Sequence, residues 1–253
     1  MVAVHRLREV SCLYGFTRFE AAPTGADGEL EDIQLAVRGA PLAQDADWLP
    51  AIEQFGEGIF VHFDEMVVRE WLTRDATRAR HEELMAGYGH WCTRFSGHAP
   101  HYPGTAYVLL HSLSHALMAE IALDCGYPAS SLKERVYALS ALDGTPQRCG
   151  ILIYTATAGA QGTLGGLVGA APRFVQILEG ALERSMICSN DPICADHQPG
   201  HHSGDRATHG AACHGCLLIA EMSCEMRNLF LDRNLLVPTM AMDGSSFFDL
   251  ATR

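Results

Sequence analysis

Five cysteines fall in the last quarter of the chain, Cys188, Cys194, Cys213, Cys216 and Cys224, and they set the strongest constraint on how it folds. Two of them form Cys213-His214-Gly215-Cys216, the C-x-x-C spacing by which one tight turn presents two thiolates to a single tetrahedral ion. Cys188 and Cys194, with five residues between them, can supply the other two. A redox dithiol is the competing use of C-x-x-C, but that motif normally opens a helix just after a strand, with no second cysteine pair nearby. Here Pro192 and a polar, His-rich loop lead into the pair instead. The expectation is one structural Zn²⁺ held by Cys188, Cys194, Cys213 and Cys216, with Cys224 a fifth candidate for four places.

At 253 residues the chain can bury a sizeable core, as one large domain or two small ones. A chain of this size does not need a disulfide scaffold, and its nine cysteines would leave one unpaired. Reduced thiols, some of them on metal, are expected. The first residues, Met1 to Arg6, lack the apolar stretch of a signal peptide, and no charge-poor run is expected to approach a membrane span. A soluble cytoplasmic protein with no membrane partner follows from this reading.

Net charge is −12, and of the 18 basic residues only Lys133 is a lysine. Binding to phosphate backbones needs a clustered basic face. The one modest cluster, Arg69, Arg74, Arg78 and Arg80, reads as a solvated helix face balanced by Glu70, Asp75, Glu82 and Glu83. Tight binding to nucleic acid by this chain alone is therefore not expected.

Strand candidates lie at residues 10–19, 56–63, 135–139 and 150–156, with turns at 25–28 and 143–146. Helical patterns cover residues 64–87, 106–125, 172–187 and 217–232. The 106–125 helix is apolar on most faces and belongs in a core. Two prolines and two histidines in 97–104 mark an internal boundary, dividing the chain into an N-terminal segment 1–104 and a zinc-binding segment 105–253. The class expected is α/β or mixed α+β, a small sheet packed with long helices plus a cysteine–zinc module. The strands near Val10, Ile59, Val136 and Ile151 should form the sheet against the 106–125 helix.

Several other patterns invite a function and fail its spacing rule. The glycine-rich stretch 157–166 has no Gly-Lys-Ser/Thr ending, so it is no P-loop, and Gly159, Gly162, Gly165 and Gly166 do not fit G-x-G-x-x-G. His111-Ser112-Leu113-Ser114-His115 sets two imidazoles on one helix face, but Ser112 stands where a zinc protease requires glutamate. Buried histidines hydrogen-bonded within a helical core are the default reading. His62 and Asp64 could be an acid–base pair, or Asp64 could simply cap a helix. If His62, Asp64, His111 and His115 converged on a cleft, a metal-dependent hydrolase or nuclease would be the alternative reading. Histidines 197, 201, 202, 209 and 214 are further candidates for the metal site, most of them on a loop expected to be mobile.

Taken together, several runs carry a resemblance. They include Val4-His5-Arg6-Leu7-Arg8-Glu9-Val10, Trp48-Leu49-Pro50-Ala51-Ile52-Glu53, His111-Ser112-Leu113-Ser114-His115 and Glu134-Arg135-Val136-Tyr137. Asp191-Pro192-Ile193-Cys194, Cys213-His214-Gly215-Cys216, Ser223-Cys224-Glu225 and Leu231-Asp232-Arg233 complete the set. This combination, over nearly the whole chain, resembles the C-terminal part of DrmB proteins, components of DISARM anti-phage defence. More distantly it is similar to the zinc-binding C-terminal domain of MrfA-type repair helicases. The resemblance implies a non-catalytic, zinc-binding partner of a DrmA-like helicase subunit, reaching DNA through the complex. It also places the family's zinc cysteines on Cys188, Cys194, Cys213 and Cys216, with Cys224 in reserve. Family members are usually longer, which leaves a split gene product, a stand-alone variant and a fragment as readings of this chain.

Overall fold

The computed structural model describes residues 1–13, 15–16, 40–41, 47–93, 101–138, 148–158, 165–201, 204–242 and 244–249. The turns expected at 25–28 and 143–146, most of the glycine-rich stretch and residues 97–100 of the internal boundary lie outside these residues. The chain is a mixed α+β protein. Strands β1 (Val2–Cys12), β4 (Ala51–His62), β5 (Leu132–Tyr137) and β6 (Gly150–Ala158) form one sheet in the order β1-β4-β6-β5. A two-stranded ribbon pairs β2 (Gly15–Phe16) with β3 (Ala40–Pro41). Every pairing is antiparallel, with Ile59 opposite Ile153 and Val61 opposite Ile151. The four strands expected near Val10, Ile59, Val136 and Ile151 are the four that assemble. The first starts earlier than expected, at Val2, because its β-bulge between Val4 and Leu7 absorbs the break in alternation.

Alternation explains β5. Leu132, Glu134 and Val136 are buried while Arg135 and Tyr137 are exposed, so a carboxylate sits on the same inward face as two aliphatic side chains. Against that face lies α3 (Thr105–Cys125), the expected core helix. By length and composition α3 could cross a membrane, which corrects the expectation that no run approaches that length; 78% of its apolar window is buried in the body.

The helix expected over 64–87 is two helices, α1 (Glu65–Leu72) and α2 (Asp75–Cys92). Asp64 caps the first, its Oδ1 accepting from the Met66 N–H at 2.8 Å. The break at Thr73–Arg74 turns the chain so that each helix buries a different face: Val68 and Trp71 on α1, and Thr77, Arg80, Leu84, Gly87 and Trp91 on α2. The α2 stripe steps by three and four residues, the period of one helical face. Gly87 lies against Pro199 and Ala207: a Cβ there would lie 2.1 Å from the Ala207 carbonyl oxygen and 2.4 Å from the Pro199 Cβ. The short α4 (Gly166–Ala170) and α5 (Phe174–Ser185) complete the α-helices among the described residues; α5 packs along α3.

No helix forms over 217–232, contrary to expectation. This segment runs in turns, with a single 3-10 turn at Glu221–Ser223. Arg227, Asn228 and Phe230 have positive φ, a left-handed backbone that a helix cannot contain. The Asn228 side chain holds the bend, accepting from the Ile219 N–H at 3.0 Å and donating to the Ile219 carbonyl at 2.8 Å. In the His-rich loop, His197 Nε2 donates to the Arg206 carbonyl at 2.9 Å, and His197 and His209 are buried. The last stretch folds back on the core, where Trp71 donates to the Ser245 carbonyl at 2.9 Å and meets the Phe247 ring edge-on. One apolar core runs through β4, β5, β6 and α1 to α5.

Candidate metal centre

Four of the five C-terminal cysteines meet. Cys188 follows the end of α5, Cys194 lies in the tight turns of 189–196, and Cys213 and Cys216 flank one further turn. Their sulfurs lie within 4.8 Å of one another. The edges are Cys188–Cys213 3.4 Å, Cys194–Cys216 3.7 Å and Cys213–Cys216 3.7 Å. Zinc–thiolate bonds of about 2.3 Å in a tetrahedron set sulfur–sulfur edges of about 3.7 Å, so the donors already stand near the required spacing. Backbone amides point at the sulfurs: Asn190 N–H at Cys188 Sγ (3.4 Å), Gly215 N–H at Cys213 Sγ (3.3 Å) and Cys213 N–H at Cys216 Sγ (3.3 Å). Such donors stabilise thiolates rather than thiols. Gly215 packs closely on the cage, and a Cβ there would lie 2.7 Å from Ser189 Oγ and 3.2 Å from Cys188 Sγ.

The sulfurs differ in how readily they ionise. The Cys216 thiol beside it and the nearby Arg233 guanidinium pull Cys194 toward the thiolate, against its burial. That negative sulfur and burial then push Cys216 up, and burial raises Cys188. Four thiolates cannot share so small a volume without positive charge among them. The residues present fit a zinc ion. A cavity of about 540 Å³, lined in part by Asp191, Cys194, His197, His209 and Cys213, opens onto the cluster.

The cage is held by a buried ionic frame that the sequence did not reveal. Asp191 accepts from the Cys188 N–H at 2.9 Å and the Ala195 N–H at 3.1 Å, and pairs with Arg233. Arg233, fully buried, also donates to the carbonyls of Ser185 (3.0 Å) and Met186 (3.2 Å). Its neighbour Asp232 faces the other way, accepting from Arg80 Nε at 2.6 Å and from the Ala211 N–H at 2.9 Å. Arg80 is therefore buried, which corrects the reading of its cluster as a wholly solvated face; Arg69, Arg74 and Arg78 are exposed. Burial opposes the Arg80 charge, and Asp232 with Glu83 more than restores it.

Cys224 does not join the four. It meets His111, His115 and Glu134 in a second buried cluster, with His111 Nε2 3.1 Å from Cys224 Sγ and 2.9 Å from Glu134 Oε1. His115 Nε2 lies 3.2 Å from the same carboxylate oxygen. The histidines are core residues, as expected, but their partner Glu134 was not singled out; the alternation of β5 was the available signal. Burial would raise the Glu134 carboxyl, yet the two imidazoles, when protonated, hold it below the usual carboxylate range. His62 and Asp64 are exposed at the end of β4 and the start of α1. They share no cleft with the buried His111 and His115, so the four residues of the hydrolase or nuclease reading are not brought together. His214, the histidine nearest the cysteines in sequence, is outside both clusters.

Comparison with known proteins agrees with this geometry. Residues 113–217 match the family model of the MrfA Zn-binding domain, a span that contains all four clustered cysteines. A curated relative, DISARM protein DrmB of Bacillus paralicheniformis, is 34% identical over 251 residues, which is 98% of this chain. The chain spans 42% of that relative's length. Over nearly its whole length, then, the chain is similar to a DISARM protein DrmB, and its centre is similar to the zinc-binding domain of MrfA.

Proposed function

We propose that this chain is a zinc-binding, non-catalytic component of a DISARM-type anti-phage defence system that works beside a DNA helicase or translocase subunit in the cytoplasm. The observation that carries the reading is the four-sulfur cage, Cys188, Cys194, Cys213 and Cys216, in a chain similar to DrmB. In this reading one Zn²⁺ closes the loop and has a structural role, because four thiolates leave no coordination position open for substrate or water. Segment 105–253 is the zinc-binding unit, and 1–104 adds β1, β4, α1 and α2 to its sheet and core. A net charge of −12 argues that DNA is reached through a partner that supplies the cationic channel.

Co-expression with the products of neighbouring genes tests the proposal. The expected result is a lasting complex with a helicase subunit, and salt-sensitive DNA binding by the complex far exceeding that of this chain alone. Tight salt-sensitive DNA binding by the isolated chain, or its failure to associate with any neighbour, would overturn the accessory role.

A further inference from the structure

Outside the cysteine cage, the sharpest convergence of chemistry is the second cluster. His111 and His115 come from α3, Glu134 from β5 and Cys224 from the C-terminal turns. The inward atoms are His111 Nε2, His115 Nε2, Glu134 Oε1 and Cys224 Sγ, all within 4.8 Å of one another. We propose that these four residues hold a second divalent metal ion, with zinc the best match to two imidazoles, a carboxylate and a thiolate.

The argument begins with the outward atoms. His111 Nδ1 donates to the Phe230 carbonyl at 3.2 Å, and His115 Nδ1 donates to the Leu217 carbonyl at 2.7 Å. A carbonyl only accepts, so each ring carries its proton on Nδ1. In the neutral ring this leaves a lone pair on Nε2. Glu134 Oε2 is taken by the Ser114 hydroxyl, and the Asn228 N–H reaches Cys224 Sγ at 3.1 Å. Each donor is thus oriented by a bond on its far side, the arrangement that fixes metal ligands in proteins. What remains on the near side is two lone pairs, a carboxylate oxygen and a sulfur, all facing one point. With both rings neutral and Cys224 ionised, acceptors at 2.9–3.2 Å would have no hydrogen between them and would repel unless a cation lay there.

Charge and geometry agree on the kind of cation. One carboxylate and one thiolate balance a divalent ion, leaving the buried site neutral. Zinc with bonds of about 2.0–2.3 Å sets tetrahedral edges of about 3.3–3.7 Å, so an ion needs the donors to move apart by only a few tenths of an ångström. His111 and His115 are fully buried, and Glu134 and Cys224 nearly so. With four protein donors and no open position, such an ion would be structural. It would join α3 and β5 to the bend 224–230, whose left-handed Asn228 and Phe230 turn one sulfur and one carbonyl toward the histidines. The alternative occupant is protons: two imidazolium rings would neutralise the same two anions without metal.

Metal analysis of the full chain purified without chelator, combined with zinc-edge X-ray absorption, separates these cases. The expected result is about two zinc ions per chain, with an average shell of about 2.5 sulfur and 1.5 nitrogen or oxygen atoms, the mean of a four-sulfur site and a mixed one. One metal per chain in a pure sulfur shell overturns the second site and leaves the cysteine cage standing. One metal in a shell of two nitrogens, one oxygen and one sulfur does the reverse. No metal overturns both. Cys224→Ser is expected to remove the mixed shell and Cys213→Ser the pure one, each lowering the content by one ion. Because the unaltered chain already decides the question, misfolding of either variant would not obscure it.

Discussion

Helix α3 and the cysteine loop show two ways of ordering a chain. The helix buries 15 of its 21 residues, and apolar contact through Leu109, Leu110, Leu113, Leu117 and Ile121 holds it, with polar bonds from His111, Ser112 and His115 added on one face. Residues 186–217 bury mostly small or polar groups: Cys188, Cys194, Ala195, His197, Ala207, His209 and Ala211. So little apolar area cannot offset the entropy of fixing some thirty residues. The loop is held by directed bonds instead, through the Asp191–Arg233 and Asp232–Arg80 pairs, and the proposed zinc would add four more. Apolar burial tolerates a lost contact locally. A bonded frame fails as a unit.

The largest expected effect is metal removal. Structural zinc supplies roughly 10–16 kcal/mol to a small module, so chelation or Cys213→Ser should abolish amide-exchange protection across 186–217 while β4 and β6 keep theirs. Equal loss in both regions would erase the contrast; no loss in either would show that the ionic frame alone suffices. Next comes Asp232→Ala, which leaves Arg80 buried without its partner and frees the Ala211 and Asn234 amides. Breaking one side of a buried pair costs about 3–5 kcal/mol, read as a shift in the denaturant midpoint. Leu113→Ala, fully buried in α3, should cost about 3 kcal/mol without altering the four-sulfur zinc shell. Loss of that shell in the variant would mean that body and loop are not separable.

The fourth effect is acid sensitivity of the loop. Burial, together with nearby His197, His111, Arg206 and His115, pushes His209 from an ordinary 6.5 down to about 3. Below 6.5 the unfolded chain takes up a proton there that the folded chain refuses, so stability is full above that pH and falls as pH drops toward 3. His209→Gln should flatten this limb; an unchanged acid profile would remove His209 from the account. Smallest is Arg8→Ala on the sheet edge, whose exposed pair with Glu53 should shift stability by no more than about 0.5 kcal/mol.

The sequence disclosed what periodicity and spacing encode. C-x-x-C and the pair before it identified the four clustered sulfurs, and apolar runs located α3 and the four strands of the sheet. It concealed whatever depends on partners far along the chain. Arg80 looks like any basic residue on a polar helix until Asp232, 152 positions later, is placed against it. The segment 217–232 has enough apolar residues for a helix, but the bend that brings Cys224 to His111 is incompatible with one. Glu134 was in view as a charged residue at an inward position of β5, and only the fold explains why it is tolerated there.

Asp232 and Arg233 carry a consequence for the registration of the C-terminal segment. Adjacent residues of opposite sign reach opposite partners, Arg80 on one side and Asp191 on the other. A slip of one residue toward the C-terminus of the segment would set Arg233 against Arg80, and a slip the other way would set Asp232 against Asp191. Either error places two like charges face to face in a dry interior, where water cannot screen them. The dipeptide therefore works as a key cut for a single position: it admits one threading of the chain past the cage and rejects both of its nearest neighbours.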